Sequence, residues 1–230
     1  MKPPLLLLHG ALGSNQQFDS VVKELEASFE VHTMNFDGHG GHASSNDFSM
    51  HFFAENVIDY LQEHSIEATH IFGYSMGGYV ALQLALMAPE KVKCIITLGT
   101  KFAWEAASAE KEVQMLHPEI IEMKVPRFAE SLKQTHAPQD WKEVMHKTAQ
   151  MMRAMGAGAR LTDDDYKNIP HEVMLGIGSL DRMVSYEESA HVAALLPNAT
   201  LIQLEGIPHP IEKVASEDLV QYIKSNIKGS

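Results

Sequence analysis

The sequence predicts an α/β fold: a mostly parallel sheet of about six strands, helices on both faces, and a helical segment inserted ahead of the last two strands. Three observations predict it. Short continuous apolar runs alternate with stretches of helical periodicity along most of the 230 residues. One run, Thr69 to Tyr74, passes straight into a helix through Gly73-Tyr74-Ser75-Met76-Gly77. Between residues 101 and 168 the alternation stops and no convincing strand pattern is present.

In chain order, Leu5 to Leu8 is an apolar run suited to a parallel strand covered on both faces. It ends in His9-Gly10-Ala11-Leu12-Gly13-Ser14, a loop at a strand's C-terminal edge, where open α/β sheets bind ligands. A helix is expected from about Gln17 to Ser28, with Phe18, Val21, Val22 and Leu25 on one face, then a strand over Val31 to Phe36. Asp37-Gly38-His39-Gly40-Gly41-His42 reads as a polar turn; its histidines lack the companion ligands of a metal site. A helix over about Ser49 to Glu63 should bury Phe53, Val57, Ile58 and Leu61. The strand Thr69 to Tyr74 and an amphipathic helix over Met76 to Met87 follow, and then a strand over Val92 to Leu98.

Residues 101–168 read as an inserted helical cap, with residues 1–100 and 169–230 as the core that carries it. Trp141, Val144, Met145, Thr148, Met151, Met152 and Met155 share one helix face, with Pro138 ahead of its start and Gly156 past its end. Val113, Leu116, Ile120 and Met123 form a second stripe, interrupted by Pro118. Six of the 13 methionines fall in this segment, and their pliable side chains suit either core packing or an adaptable apolar pocket. Alternation then resumes with a strand over Val173 to Ile177, a helix over Tyr186 to Leu196, a strand over Ala199 to Leu204 and a helix over about Ser216 to Ile227.

Composition narrows the function. Hydrophobic residues make up 45% of the chain, enough for one sizeable core. The net charge of -12 disfavours nucleic acid or an anionic membrane as partner. The single cysteine, Cys94, falls in a predicted strand and permits no intrachain disulfide. The leucine run at the N-terminus is too short for a signal peptide, and no stretch reaches membrane-spanning length, so a cytoplasmic protein is expected.

The chemistry gathers around Ser75. A serine hydroxyl is a weak nucleophile until a general base takes its proton, and the base needs a partner to fix its tautomer. In a parallel sheet such partners come from other strands' C-terminal ends. Asp181 follows the strand at Val173–Ile177, and His209 follows the strand at Ala199–Leu204, ahead of the last helix. The rival carboxylates Asp163, Asp164 and Asp165 precede their strand and read as a solvated turn or helix start. The N–H of Met76, at the start of a helix, and that of Ala11, with Leu12 as fallback, are the expected donors to a developing oxyanion. Leu12, Tyr74, Trp104, Met145, Met152 and Met183 are the expected lining of a substrate pocket.

Together these stretches resemble the α/β-hydrolase superfamily, in particular its small esterase-like members. HGALGS is similar to the oxyanion loop, GYSMGG to the nucleophile elbow, GSLDRMV to the acid loop and GIPHP to the histidine loop. The order Ser75, Asp181, His209 is the one this fold uses. The resemblance implies a serine hydrolase that cleaves small, mainly apolar esters or thioesters through an acyl-enzyme, without cofactor or metal, as a monomer or homodimer. Three departures stand out. Few residues precede the first strand, so the antiparallel pair that usually opens the family's sheet is expected to be missing. The usual D-x-x-G-H-G turn has Asn35 in the aspartate's place. Tyr79 stands where the superfamily's menaquinone-pathway lyase typically has arginine. Two other functions fit the same motifs. One is a C–C bond hydrolase or lyase acting on a carboxylated metabolite, held by Arg127, Arg153 or Arg160. The other is a non-catalytic ligand receptor.

Overall fold

The computed structural model describes residues 2–227. Six strands form one parallel sheet in the order β2-β1-β3-β4-β5-β6. They are β1 (Pro4–Leu8), β2 (Glu30–Thr33), β3 (Thr69–Tyr74), β4 (Val92–Leu98), β5 (Glu172–Gly178) and β6 (Ala199–Leu204). Among the described residues no antiparallel strand joins them.

Side chains alternate across the sheet. Leu6, Leu8, Ile71, Ile95 and Leu175 enter one core; Leu5, Leu7, Phe72, Ile96 and Met174 enter the other. The first core is closed by α2 (Met50–Glu63), α3 (Met76–Met87) and α9 (Tyr186–Leu195), the second by α1 (Asp19–Leu25) and α10 (Ser216–Ser225). Burial on both faces is why β1 runs through four consecutive leucines, Leu5 to Leu8, all with no exposure. Each contributes about 1.5–3 kcal/mol.

Helix α3 is more deeply placed than an amphipathic pattern implies. Nine of its 12 residues are buried, because the sheet lies on one side and α2 and the inserted helices on the other. Two predicted boundaries shift. The first helix begins as a 3₁₀ turn at Asn15–Phe18 and becomes α-helical only at Asp19. β2 ends at Thr33, before the predicted Phe36, because the Phe36 N–H is taken by His9 Nε2 at 3.2 Å and leaves the ladder.

Between the neighbouring strands β4 and β5 run five helices: α4 (Ala106–Val113), α5 (Pro118–Lys124), α6 (Pro126–His136), α7 (Trp141–Gly156) and α8 (Asp163–Lys167). The α7 face is buried as its periodicity requires. The expected stripe through Ile120 and Met123 is not: Pro118 starts a new helix that buries Pro118 and Ile121 and leaves Ile120 and Met123 exposed. Asp163, Asp164 and Asp165 form the first turn of α8, where Thr162 caps the helix and acidic side chains suit its dipole. Ile121, Leu132, Trp141 and Met145 make a small core within the insertion.

Candidate active site

The chain runs from β1 outward to β2, then back across β1 to β3. The order therefore reverses between β1 and β3, and the loops at their C-terminal ends flank the crevice there. The β1 loop carries Ala11 and Leu12; the β3 end carries Ser75.

Ser75 adopts φ 51 and ψ -112, a conformation L residues rarely occupy. Its surroundings over-determine it. The Ser75 N–H donates to the Leu98 carbonyl at 2.9 Å, and Thr100 Oγ1 donates to the Ser75 carbonyl at 3.0 Å. The flanking glycines are required by contact. A Cβ at Gly73 would lie 2.4 Å from the Gly78 nitrogen, and one at Gly77 2.2 Å from the Leu8 carbonyl oxygen.

The loops after β5 and β6 bring Asp181 and His209 to this elbow. Ser75 Oγ lies 3.4 Å from His209 Nε2, and His209 Nδ1 lies 2.7 Å from Asp181 Oδ2. Asp181 Oδ1 accepts the N–H groups of Met183 at 2.8 Å and Val184 at 2.9 Å. Burial opposes ionisation of Asp181, but its bonds from His209 and these two amides prevail and hold its pKa below the usual carboxylate value. A carboxylate so bonded fixes the proton of His209 on Nδ1 and leaves Nε2 to face the serine. Tyr74, its own pKa raised by burial, stays protonated and donates to the His209 carbonyl at 3.0 Å, which ties the histidine loop to β3.

The expected oxyanion donors, Ala11 and Met76, border the same crevice as Ser75. Met76 begins α3, so its N–H has no acceptor within the helix. Among the described residues the N–H groups of Ala11 and Leu12 enter no turn or loop hydrogen bond. Leu12 has φ 59, and its carbonyl accepts from His136 Nε2 at 3.1 Å. His136, fully buried at the end of α6, accepts the Gly40 N–H on Nδ1 at 3.2 Å. His9 donates to the Gly10 carbonyl at 2.8 Å, and burial lowers its pKa to about 4. His39, read from sequence as a polar turn residue, is instead buried against the Phe48 and Phe53 rings. Asn35 works as a hinge pin for this region: it accepts the Asn15 N–H at 2.7 Å and donates to the Gly40 carbonyl at 3.3 Å.

A cavity of about 530 Å³ opens over Ser75 and His209. Of the residues expected to line a pocket, Leu12, Tyr74, Trp104, Met152 and Met183 border it, together with Ala11 and Met76. Met145 does not. It packs with Trp141 in the insertion's own core, and Met151, six residues further along the helix, takes the place at the wall. Arg127, Arg153 and Arg160 are also absent from the wall; Arg153 is bound to Glu110 at 3.0 and 3.2 Å outside it. The Tyr79 hydroxyl accepts the Leu161 N–H at 2.7 Å, an anchor between α3 and the insertion. Among the described residues no cluster of His, Cys, Asp and Glu has the arrangement of a metal site, and no helix is long and apolar enough to cross a membrane.

A strand-to-helix elbow at a topological switch point, with carboxylate and imidazole delivered from the ends of the last two strands, defines a class of fold. A family profile described as the alpha/beta hydrolase fold matches residues 3–211. The chain belongs to that family. It is 26% identical over 224 residues to a pimeloyl-[acyl-carrier protein] methyl ester esterase of Aliivibrio salmonicida, a match that covers 89% of this chain and 84% of the relative. A probable alcohol acetyltransferase of Wickerhamomyces anomalus is 27% identical over 141 residues; there the chain spans 60% of its own length and 40% of the relative's. Among solved structures, carboxylesterase CesB (YbfK) from Bacillus subtilis superposes with a TM-score of 0.74 at 21% identity, over 100% of this chain and 85% of that one.

Proposed function

We propose that the chain is a serine hydrolase that cleaves carboxylic esters or thioesters of small, mainly apolar substrates. The observation that carries this reading is the continuous relay from Ser75 Oγ through His209 to Asp181, at 3.4 and 2.7 Å, with Ser75 and His209 bordering the cavity. The longer step is within the range that tightens when substrate binds.

Ser75 Oγ attacks the acyl carbon as its proton passes to His209 Nε2. Asp181 stabilises the imidazolium. The Ala11 and Met76 N–H groups receive the oxyanion, and the leaving alcohol or thiol takes the proton from His209. Water, activated by His209 in the same way, releases the acid. Residues 101–168 act as a cap that supplies the apolar wall for the acyl or alcohol group. The esterase relatives support the choice of ester. With the three insertion arginines away from the cavity wall, the reading as an enzyme of carboxylated metabolites loses the arginines expected to hold the carboxylate.

A fluorophosphonate probe should label the protein at Ser75, and short-chain p-nitrophenyl esters should be hydrolysed. Ser75→Ala should abolish both. Hydrolysis at wild-type rate by Ser75→Ala would remove this mechanism. Ester binding without labelling or turnover would favour a receptor.

A further inference from the structure

The cavity wall is mostly apolar; of its charged side chains Glu212 accepts from Gln17 Nε2 at 2.7 Å, and there remains one pair of opposite charges that the proposed mechanism does not use. Lys101, just after β4, and Glu112, on α4, both line the cavity. Their charged ends are 3.4 Å apart, with side chains 15% and 8% exposed. Lys101 Nζ also donates to the Met183 carbonyl at 3.3 Å and lies 5.9 Å from the Trp104 ring centroid. Among the described residues the Glu112 carboxylate meets only Lys101, and that contact is loose. The surface pair Lys142–Glu122 closes to 2.7 Å, although water competes for it. A buried pair whose task was to fasten α4 to the sheet would gain most from the shorter geometry. Instead a carboxylate with room for about four hydrogen bonds receives one long contact and turns its remaining capacity to the cavity.

The chemistry of the pair selects its guest. A substrate carboxylate would meet Glu112, and a substrate ammonium would meet Lys101. A methyl would leave both charges desolvated and unsatisfied. A hydroxyl fits both: it donates its proton to the Glu112 carboxylate and accepts one from Lys101 Nζ. We propose that Lys101 and Glu112 form a subsite for a substrate hydroxyl, so that the favoured esters are neutral, largely apolar and hydroxylated away from the scissile carbonyl. The proposal rests on the hydrolase reading of Ser75.

The test compares p-nitrophenyl esters of ω-hydroxyalkanoic acids, over a series of chain lengths, with methyl-terminated isosteres and with carboxylate-terminated analogues. Acetates of diols and of matching alkanols cover the opposite binding direction. The hydroxyl ester should win in kcat/KM by about 10- to 100-fold at its best length, the worth of one hydrogen bond to a charged group. The double variant Lys101→Met/Glu112→Met removes both charges together, and the hydroxyl preference should vanish in it. If that variant does not fold, Glu112→Gln serves, and the preference should shrink. Ratios within twofold in both series, a preference for carboxylate, or a hydroxyl preference untouched in the variants would overturn the subsite. Calorimetry with Ser75→Ala protein and the same esters reads the preference without turnover. If wild type hydrolyses nothing, the hydrolase reading fails, and the calorimetric ratio still decides the subsite.

Discussion

Asp181 illustrates how much depends on single atoms. One oxygen receives His209 and the other receives two amides, so the carboxylate cannot rotate without losing a partner. In Asp181→Asn the amides keep the side-chain oxygen, and the NH2 turns toward His209 Nδ1, which then carries no proton. The histidine takes the wrong tautomer, and kcat for a p-nitrophenyl ester should fall by roughly 10³–10⁴ while the thermal midpoint changes little. Gly99 is equally constrained. It has φ 64, and a Cβ there would lie 3.1 Å from His209 Nδ1 and 3.2 Å from Asp181 Oδ2. Gly99→Ala should reduce kcat more than it raises KM, measured on the same ester. Ser75, Asp181 and His209 were legible in the sequence because each follows an apolar run at a strand end, and the sheet's topology dictates where such ends meet. Met145 was misjudged for a complementary reason. Periodicity identifies the buried face of α7 but not what covers each turn of it: the first turns meet α5 and α6, the later ones meet the cavity. Glu112 and Lys101 carried no local signal, since a lysine in a loop and a glutamate on a helix ordinarily face water.

At the scale of elements, the insertion is joined to the β1 loop through one imidazole. The Gly40 N–H fixes the His136 tautomer, and Nε2–H then holds the Leu12 carbonyl beside the candidate oxyanion donors. Leu12, at φ 59, does not hold this geometry unaided. His136→Ala should therefore lower kcat about tenfold with a smaller change in KM. His136→Gln, which can still donate to Leu12, should recover part of the loss; a purely packing role would show no such rescue. Helix α6 itself was hidden from pattern reading. It is 11 residues long with only Ala129, Leu132 and His136 buried, and Pro126 at its first turn looks like a breaker although proline is well tolerated there. The six-stranded sheet was far more legible, because strands covered on both faces leave unbroken apolar runs.

For the molecule as a whole, the buried histidines set acid tolerance. Burial lowers the pKa of His9 to about 4 and lowers those of His39 and His136, so all three fold as neutral rings. Below a normal histidine pKa of about 6.5 the unfolded chain binds protons that the folded chain refuses. Stability is therefore full above that pH and declines as pH falls toward 4, by about 3 kcal/mol from His9 alone. Urea midpoints measured from about pH 7.5 down to about pH 4.5 should drop steadily; a flat profile would contradict neutral burial. The backbone at Ser75 pulls in another direction. A left-handed, sparsely populated conformation costs about 1–3 kcal/mol in a residue with a side chain, and glycine escapes it. Ser75→Gly should melt several degrees higher than wild type, at about 2–4 °C per kcal/mol for a domain of this size. On the proposed mechanism, durability and turnover compete at one position: selection for heat resistance alone would favour loss of the candidate nucleophile.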